Sequence, residues 1–395
     1  MTAAGGDARD RVIAVLTSGR QDWGILRSVC IAIDGQPGLR LALAAGGMHL
    51  SMRHGHTVEV VREDGFAPLE LAPWLGPADA SDGADPPAAV QAAGALRAVA
   101  DWLADLRPDA VVLVGDRLET AAAALAATLS LVPIVHLHGG EQTLGAFDDP
   151  LRHAITKLAH LHLVSQDEHA RRVIALGEDP SSVHVIGAPG LDNLHRADLP
   201  DAAELAGFLG IALEPPVVVV TVHPGTLEAD AEAAGTAVAA AMRAVPATYV
   251  VTLPNTDPAA GGIRELLEQA ATATGGTAVA ALGERRYWGL LRVADAMLGN
   301  SSSGLVEAPA VRLPAVNVGD RQAGRRREGN VIDVPSEAAA VEGALRRALD
   351  PAFRATIPAL DARLTDGHAG ERAARCIAAW DPPRPPRKPP LEPAA

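Results

Sequence analysis

The sequence predicts an α/β protein made of two Rossmann-like, doubly wound domains that face each other across a cleft. Along most of its 395 residues, short β-branched runs alternate with alanine-rich stretches of helical pattern. Such alternation is typical of parallel sheets covered by helices. The alternation breaks off after Asn193, in a charged stretch that ends at Pro215 and Pro216, and then starts again. Two such series, in a chain long enough for two cores of ordinary size, predict two domains.

The predicted strands are short and rich in valine, isoleucine and leucine, as expected for strands buried on both faces of a sheet. The first strand is followed by a polar turn, Ser18–Gly24, and a helix, and another helix is predicted over Leu118–Leu129. The strands of the first half are Arg11–Thr17, Ala110–Val114, Pro133–Leu137, Leu161–Val164 and Val183–Ile186. Those of the second half are Val217–Val222, Tyr249–Leu253, Ala296–Leu298 and Ala315–Val318.

These elements divide the chain into an N-terminal domain, residues 1–195, and a C-terminal domain, residues 196–370. We expect a helix over residues 371–380 to pack back on the N-terminal domain. The remaining segment, residues 381–395, is rich in proline and is predicted to be a disordered tail.

Composition excludes several classes of function. The formal net charge is −14, so no basic surface is available for nucleic acid. Lysine is almost absent, which leaves arginines and helix N-termini to bind any phosphate. Two cysteines are too few for a disulfide scaffold, and we find no signal peptide and no apolar run that could span a bilayer. We therefore expect a cytoplasmic protein without a membrane partner.

Ligands of open parallel sheets bind beyond the carboxyl ends of the strands. Most of the unusual residues of this sequence fall at those ends, so we expect the functional site there. The segments concerned are Gly19–Gly24, Gly115–Arg117, His138–Asp149, His223–Thr226, Pro254–Asp257 and Asn300–Glu307.

Carboxylates and histidines crowd this edge in the first half. Asp116 follows an apolar strand directly, where it would serve either as the N-cap of the next helix or as a catalytic acid/base. The next strand leads into His138, Glu141, Asp148 and Asp149. This is more than helix capping requires, and such clusters push pKa values apart as acid/base chemistry needs.

The polar turn after the first strand lacks the glycine spacing of a dinucleotide fingerprint, which disfavours a nicotinamide cofactor. Arg20 at the start of the following helix is placed to pair with a phosphate, or else is a solvated surface arginine. The pairs His136-x-His138 and His160-x-His162 have no third ligand at a recognisable spacing, so we predict satisfied histidines rather than a metal site.

In the second half, a run of serines leads from a strand into a helix. Ser301, Ser302, Ser303 and Gly304 would offer free backbone N–H groups to an anion, although a serine-rich N-cap is the simpler alternative. Glu307, one turn further on, could accept hydrogen bonds from ribose hydroxyls.

Taken together, these motifs resemble the UDP-N-acetylglucosamine 2-epimerases, and most closely their hydrolysing branch, over roughly residues 11–333. In the first half the resemblance is carried by Arg20-x-Asp22-Trp23-Gly24, Gly47-Met48-His49, Gly115-Asp116-Arg117, His138-Gly139-Gly140-Glu141, Phe147-Asp148-Asp149, Arg152 to Lys157 and Gly187 to Gly190. In the second half it is carried by Pro254-Asn255, Asn300 to Gly304 with Glu307, and Gly319-Asp320-Arg321-Gln322. The resemblance implies a fold of the glycosyltransferase-B type.

The resemblance also implies roles for individual residues. Asp116 and Asp148 would be acid/base groups, and His223 would lie near the diphosphate. Many members have a catalytic glutamate where this chain has His138, so either His138 or Glu141 would take that part. The residues implied to bind substrate are Arg20, Asp22, His49, Arg117, Asp149, His153, Asn255, Ser301, Ser302, Ser303, Gly304, Glu307 and Arg321.

The activity implied is release of UDP and N-acetylmannosamine from UDP-N-acetylglucosamine. It would proceed by elimination to a 2-acetamidoglycal and addition of water, without a cofactor. The alternatives are a hydrolysing epimerase of a diacetamido-dideoxy or GDP sugar, a glycosyltransferase of the same fold, and a non-catalytic nucleotide-sugar sensor. We expect a homodimer or a homotetramer.

Overall fold

The computed structural model describes residues 9–76, 85–142, 148–224, 232–253, 260–280 and 282–388. These residues form two compact units. Unit 1 contains the described parts of Met1–Glu141, Asp148–Asn193 and Arg363–Ala395, and unit 2 those of Gln142–Phe147 and Leu194–Ala362. The chain leaves unit 1 close to the predicted boundary at 195, but it returns at Arg363, earlier than the predicted residue 371.

Unit 1 is built on a parallel sheet. Its described strands are β1 (Arg11–Thr17), β2 (Leu39–Ala45), β3 (Leu69–Glu70), β4 (Ala110–Val114), β5 (Ile134–Leu137), β6 (Leu161–Val164) and β7 (Val183–Val185). They pair in the order β3-β2-β1-β4-β5-β6-β7. Alternate residues of β4 enter apolar clusters on opposite faces of the sheet, Val111 and Leu113 on one face and Val112 and Val114 on the other. Both faces are therefore covered, which explains the unbroken apolar runs.

Helices cover the two faces of this sheet. They are α1 (Arg20–Asp34), α2 (Val58–Glu63), α3 (Ala88–Leu106), α4 (Leu118–Leu129), α5 (Asp148–Leu158) and α6 (Asp167–Ala175). Helix α1 buries a stripe at helical spacing, with Trp23, Leu26, Cys30 and Ile33 facing the core. Short 3-10 helices span Gly47–Leu50, Met52–His54, Pro180–Ser182 and Pro189–His195 in this part of the chain, and another spans Ala308–Val311 in unit 2.

Unit 2 repeats the design with a second parallel sheet. Its described strands are β8 (Val217–Thr221), β9 (Thr248–Thr252), β10 (Thr277–Val279), β11 (Ala296–Gly299), β12 (Ala315–Val318) and β13 (Val331–Val334), in the order β10-β9-β8-β11-β12-β13. Its helices are α7 (Ala202–Leu209), α8 (Ala233–Ala244), α9 (Ala260–Ala273), α10 (Gly283–Val293), α11 (Ser303–Val306), α12 (Ala338–Ala348) and α13 (Pro351–Thr356). Helix α14 (Ala362–Thr365) lies where the chain returns to unit 1.

The last helix, α15 (Ala369–Ala379), packs against α1. Asp192 accepts hydrogen bonds from the backbone N–H groups of Ala369 (3.1 Å) and Gly370 (2.8 Å) at its first turn. At the other end Arg11 donates to the carbonyl groups of residues 377, 378 and 380. A carboxylate at the N-terminus and a guanidinium at the C-terminus both complement the helix dipole.

The proline-rich tail was predicted to be disordered from residue 381, and its residues 381–388 contact unit 1 in the structure. Arg384 forms an ion pair with Asp109, and Lys388 forms one with Glu178. Both carboxylates are almost fully buried, so each draws a cation from the tail onto unit 1. Residues 389–395 lie outside the described residues.

The carboxyl ends of β1, β4, β5 and β6 lie side by side in the sheet of unit 1. Ser18, Gly115, His138 and Ser165 are the first residues after them. In unit 2 the corresponding edge carries the residues that follow β8, β11 and β12. None of the helices in the described parts of the chain is long and apolar enough to cross a membrane.

Candidate active site

The two carboxylates predicted as acid/base groups lie in unit 1 on neighbouring elements. Asp116 follows β4, and Asp148 is the first residue of α5. The N-cap position of α4 is occupied by Arg117, and no side chain caps that helix. Asp116 is therefore not a helix cap. Instead it forms an ion pair with Arg152, an almost fully buried residue of α5. Arg152 was not among the predicted site residues, although it opens one of the motifs that carry the family resemblance.

Asp148 is held in an environment that favours its protonated form. Burial raises the pKa of this carboxyl, and the nearby charge of Asp116 raises it further, against the opposing effect of Arg117 and Arg152. Glu119, a buried residue that was not predicted to belong to the site, acts in the same direction as Asp116 and pairs with Arg117 at 3.2 Å. Asp148 can thus hold a proton at a higher pH than an ordinary aspartic acid.

His138 and Glu141 form a close pair at the end of β5. His138 Nδ1 lies 2.5 Å from Glu141 Oε1. The backbone of His138 is left-handed, with φ of 63°, a conformation that costs energy for a residue other than glycine and that recurs at active sites. His138 Nε2 is buried and has no hydrogen-bond partner within the described part of the chain.

Glu141 has the opposite electrostatic character to Asp148. Burial alone raises the pKa of Glu141, but the charges and hydrogen bond of His138, Arg152 and His169 outweigh it and hold the pKa well below its usual range. Glu141 is therefore ionised at neutral pH and can orient His138, which leaves His138 Nε2 as the candidate reactive atom of the pair.

Two polar residues next to Glu141 were not predicted. Ser165, directly after β6, donates to Glu141 Oε1 at 3.2 Å, and its Oγ lies 2.8 Å from His169 Nδ1 on α6. The rule that ligands bind beyond strand ends would have pointed to Ser165, because it is the first residue after a strand. His169 carries no motif in the sequence.

Asp22 is held by hydrogen bonds within the turn that follows β1. Its Oδ2 accepts hydrogen bonds from the backbone N–H of Ser18 at 2.9 Å and from the Ser18 hydroxyl at 2.5 Å. Burial raises the pKa of Asp22, with Arg117 acting against it. Arg20, the first residue of α1, is exposed. Arg20 and Arg117 therefore remain candidates for binding a phosphate, whereas Asp22 shapes the turn.

His49 was predicted to bind substrate, and the structure does not support that role. The side chain is fully buried, and its ring nitrogens each lie 2.8 Å from a threonine hydroxyl, Nε2 from Thr17 and Nδ1 from Thr57. Burial lowers its pKa to about 4. Binding a ligand would require breaking one of these buried hydrogen bonds, so His49 is a structural residue.

His136, unlike its neighbour His138, is satisfied as predicted. Its Nε2 lies 2.9 Å from the Gly115 carbonyl oxygen and its Nδ1 3.2 Å from the Thr156 hydroxyl. Burial lowers its pKa to about 3, so the ring is neutral. Within the described ranges, no three histidine, cysteine, aspartate or glutamate side chains are grouped closely enough to hold a metal ion.

Asp149 and His153 lie one turn apart on α5, with Asp149 Oδ2 and His153 Nε2 separated by 3.4 Å. Both are predicted substrate-binding residues on the same helix as Asp148 and Arg152. Asn255, another predicted binding residue, lies outside the described residues.

In unit 2, Asn300 joins the ends of two strands. Its side-chain Oδ1 accepts from the backbone N–H of His223 at 2.7 Å, and its Nδ2 donates to the His223 carbonyl oxygen at 2.8 Å. The carbonyl oxygen of Asn300 in turn accepts from Arg321 at 3.1 Å and from Gln322 at 2.8 Å. His223 and Arg321, which were both predicted to lie near the diphosphate, are thus brought to the same edge of the sheet of unit 2.

The serine turn is less open than predicted. The N–H of Ser303 donates to Ser301 Oγ, that of Gly304 donates to the Ser301 carbonyl oxygen, and the Ser303 hydroxyl accepts from Tyr287 at 2.6 Å. These groups are therefore used inside the turn and the short helix α11 that follows it. Ser301 and Ser302 remain the anion-binding candidates, and Glu307 directly follows α11.

The chain is similar to proteins of one known family. Residues 31–378 match the family model described as UDP-N-acetylglucosamine 2-epimerase. The GDP/UDP-N,N'-diacetylbacillosamine 2-epimerase (hydrolyzing) of Campylobacter jejuni is 33% identical over 327 residues, covering 82% of this chain and 84% of that protein. The UDP-N,N'-diacetylbacillosamine 2-epimerase (hydrolyzing) of Legionella pneumophila is 32% identical over 341 residues, covering 86% and 89%.

A solved structure shows the same fold. The crystal structure of UDP-GlcNAc 2-epimerase from Neisseria meningitidis bound to UDP-GlcNAc superposes with a TM-score of 0.77 at 15% identity, covering 93% of this chain and 99% of that one. The predicted fold class, two Rossmann-like domains of the glycosyltransferase-B type, is confirmed. The family match and the named relatives together show that the chain belongs to the UDP-N-acetylglucosamine 2-epimerase family, in its hydrolysing branch.

Proposed function

We propose that the protein hydrolyses a UDP-activated 2-acetamido sugar and inverts carbon 2, with UDP-N-acetylglucosamine as substrate and UDP and N-acetylmannosamine as products. The observation that carries the proposal is the contrast between Asp148 and the His138–Glu141 pair. One carboxyl group is shifted toward its protonated form, while the other is ionised and orients a histidine. Asp148 and Glu141 both feel the charge of Arg152. A proton donor and a proton acceptor around one buried cation suit a reaction that removes and returns one proton.

In the proposed mechanism, a base removes the proton of carbon 2 while the bond from carbon 1 to the diphosphate oxygen breaks. The electron pair of the C–H bond becomes the double bond of a 2-acetamidoglycal, and UDP leaves with the electrons of the C–O bond. Water then adds its hydroxyl group to carbon 1, and carbon 2 receives a proton on the opposite face. The two steps are an elimination and a hydration, which together leave the oxidation state of the sugar unchanged, so the proposed mechanism calls for no redox cofactor.

The residues divide between these steps. His138 Nε2 accepts a proton, and Asp148 supplies one. Asp116, which is paired with Arg152, is the third acid/base group. Each such group contributes roughly 10²–10⁴-fold to the rate. Arg20, Arg117 and Arg321, with the backbone N–H groups near Ser301 and Ser302, are proposed to stabilise the leaving diphosphate.

A second candidate substrate is UDP-N,N'-diacetylbacillosamine, because two relatives that are 33% and 32% identical carry that sugar in their names. Both sugars carry an acetamido group at carbon 2, the carbon whose configuration the reaction inverts. The chemistry proposed for unit 1 is the same for either.

A substrate panel tests the proposal. Purified protein is incubated without divalent ions with UDP-N-acetylglucosamine, UDP-N,N'-diacetylbacillosamine and their GDP counterparts, and free nucleotide and free sugar are identified by mass spectrometry and NMR. We expect free UDP together with the 2-epimer of the sugar supplied. A requirement for an acceptor molecule would instead indicate a glycosyltransferase, and tight UDP binding without turnover would indicate a sensor.

A further inference from the structure

Behind the His138–Glu141 pair lies a second pair, formed by Ser165 and His169. Ser165 is buried, and its hydroxyl contacts the same oxygen of Glu141, Oε1, that accepts from His138. The Ser165 hydroxyl also lies 2.8 Å from His169 Nδ1, and His169 Nδ1 lies 4.0 Å from Glu141 Oε1. Four side chains from the end of β5, the end of β6 and the first turn of α6 thus form a continuous series.

The chemistry of these groups assigns each shared proton. An ionised carboxylate only accepts, so both His138 Nδ1 and the Ser165 hydroxyl must donate to Glu141. A serine hydroxyl has one proton, and once it is given to Glu141 the contact with His169 can be a hydrogen bond only if His169 Nδ1 donates. Burial lowers the pKa of His169, which favours a neutral ring that carries a single proton.

The backbone holds the two pairs together. Gly140 has φ of 76°, and a Cβ atom there would lie 2.3 Å from the carbonyl oxygen of His169. Arg172, one turn further along α6, donates to the Gly140 carbonyl oxygen at 3.1 Å. The turn that carries Glu141 is therefore packed directly on the helix that carries His169, and only glycine permits so close an approach.

We propose that Ser165 and His169 are positioning residues for His138. His169 donates to Ser165, and Ser165 donates to Glu141, so the series fixes that carboxylate. Glu141 in turn keeps His138 in the tautomer with its proton on Nδ1 and its lone pair on Nε2. His138 is thereby held ready to accept a proton at Nε2, its own ring nitrogen that has no hydrogen-bond partner among the described residues. The catalytic consequence rests on the proposed function, whereas the assignment of the protons does not.

The proton assignment is tested without any substrate. NMR of the protein labelled with ¹⁵N-histidine, at neutral pH, distinguishes a protonated from an unprotonated ring nitrogen, and the variants His138→Gln and His169→Asn assign the two signals. We expect both His138 and His169 to carry their proton on Nδ1. A proton on Nε2 alone, in either ring, would overturn the proposal even if the protein proves to be an epimerase.

The positioning role is tested by steady-state kinetics on the sugar that the protein turns over. Ser165→Ala and His169→Leu each remove one contact of the series. We expect kcat to fall about 10-fold, less than the loss of a general acid/base group itself, while KM changes little because neither residue is proposed to bind substrate. His169→Asn keeps a donor near the Nδ1 position and should recover most of the rate.

His184→Leu, a partly buried histidine of β7, is the control and should retain the wild-type kcat. Unchanged kcat in Ser165→Ala and His169→Leu, or equal losses in His169→Leu and His169→Asn, would contradict the positioning role. If the substrate panel yields no turnover at all, the proposed function fails while the NMR result still decides the proton assignment.

Discussion

At the scale of single residues, carboxylates that look alike in the sequence have different environments in the structure. Asp116 pairs with a buried arginine, Glu141 pairs with a histidine, and Asp148 is shifted toward its protonated form. The difference comes from neighbours contributed by other elements. Environment, rather than residue type, assigns the roles.

Asp116→Asn tests whether Asp116 takes part in proton transfer. The substitution preserves the shape of the side chain but removes its ability to exchange a proton, so turnover should fall roughly 10²-fold or more while KM stays within a few-fold. The structure excludes a helix-capping role that asparagine would fulfil equally well.

Asp105→Asn, an exposed aspartate on α3, serves as the control and should leave turnover unchanged. Thermal unfolding of Asp116→Asn reports whether the loss of the ion pair with Arg152 has disturbed the fold. A near-normal rate in a folded Asp116→Asn protein would move the chemistry to His138, Glu141 and Asp148.

The sequence could predict that acid/base residues gather after β4 and β5, because polar residues at the ends of apolar strands stand out. It could not predict that His49 is satisfied by Thr17 and Thr57, since those hydroxyls come from distant positions. Nor could it identify Ser165 and His169, which meet Glu141 only once β5 and β6 are paired.

At the scale of secondary structure, the strands that were predicted are those whose apolar character is local. Strands β1, β4, β6 and β12 match their predicted bounds. Strands β2, β3, β10 and β13 were missed because they are short or rich in alanine, which has a weak preference for strands. Strand β2 is held by its pairing with β1, from Arg11–Leu39 to Thr17–Ala45, which no local pattern shows.

Gly370→Ala tests the packing of α15 on α1. A Cβ atom at Gly370 would lie 2.5 Å from the carbonyl oxygen of Ser28, so one of the two helices must shift. We expect the free energy of unfolding in urea to decrease by about 1–3 kcal/mol, the usual cost of overpacking.

The matched control is Gly343→Ala, an exposed position within α12 where a Cβ atom meets nothing within 4 Å. Alanine there should stabilise the protein by about 0.4–1 kcal/mol, because it restricts the unfolded chain without straining the folded one. Equal effects at the two positions would show that α15 does not pack closely on α1.

At the scale of the whole molecule, alternation of strands and helices was sufficient to predict two doubly wound units, while the contacts of residues 381–388 could not be predicted. Both lysines of the chain, Lys157 and Lys388, pair with Glu178, a buried carboxylate. The contact between Lys388 and Glu178 joins residues more than 200 positions apart. Composition alone suggested a disordered tail.

The central claim is that carbon 2 loses its proton and regains one on the opposite face as UDP is released. The most direct measurement is the reaction run in deuterium oxide, with the free sugar analysed by NMR and mass spectrometry. We predict that the product has the inverted configuration at carbon 2 and carries one deuterium there, because the proton returned to the glycal comes from groups that exchange with solvent. A free sugar with the original configuration and no deuterium at carbon 2 would show simple hydrolysis and would contradict the account.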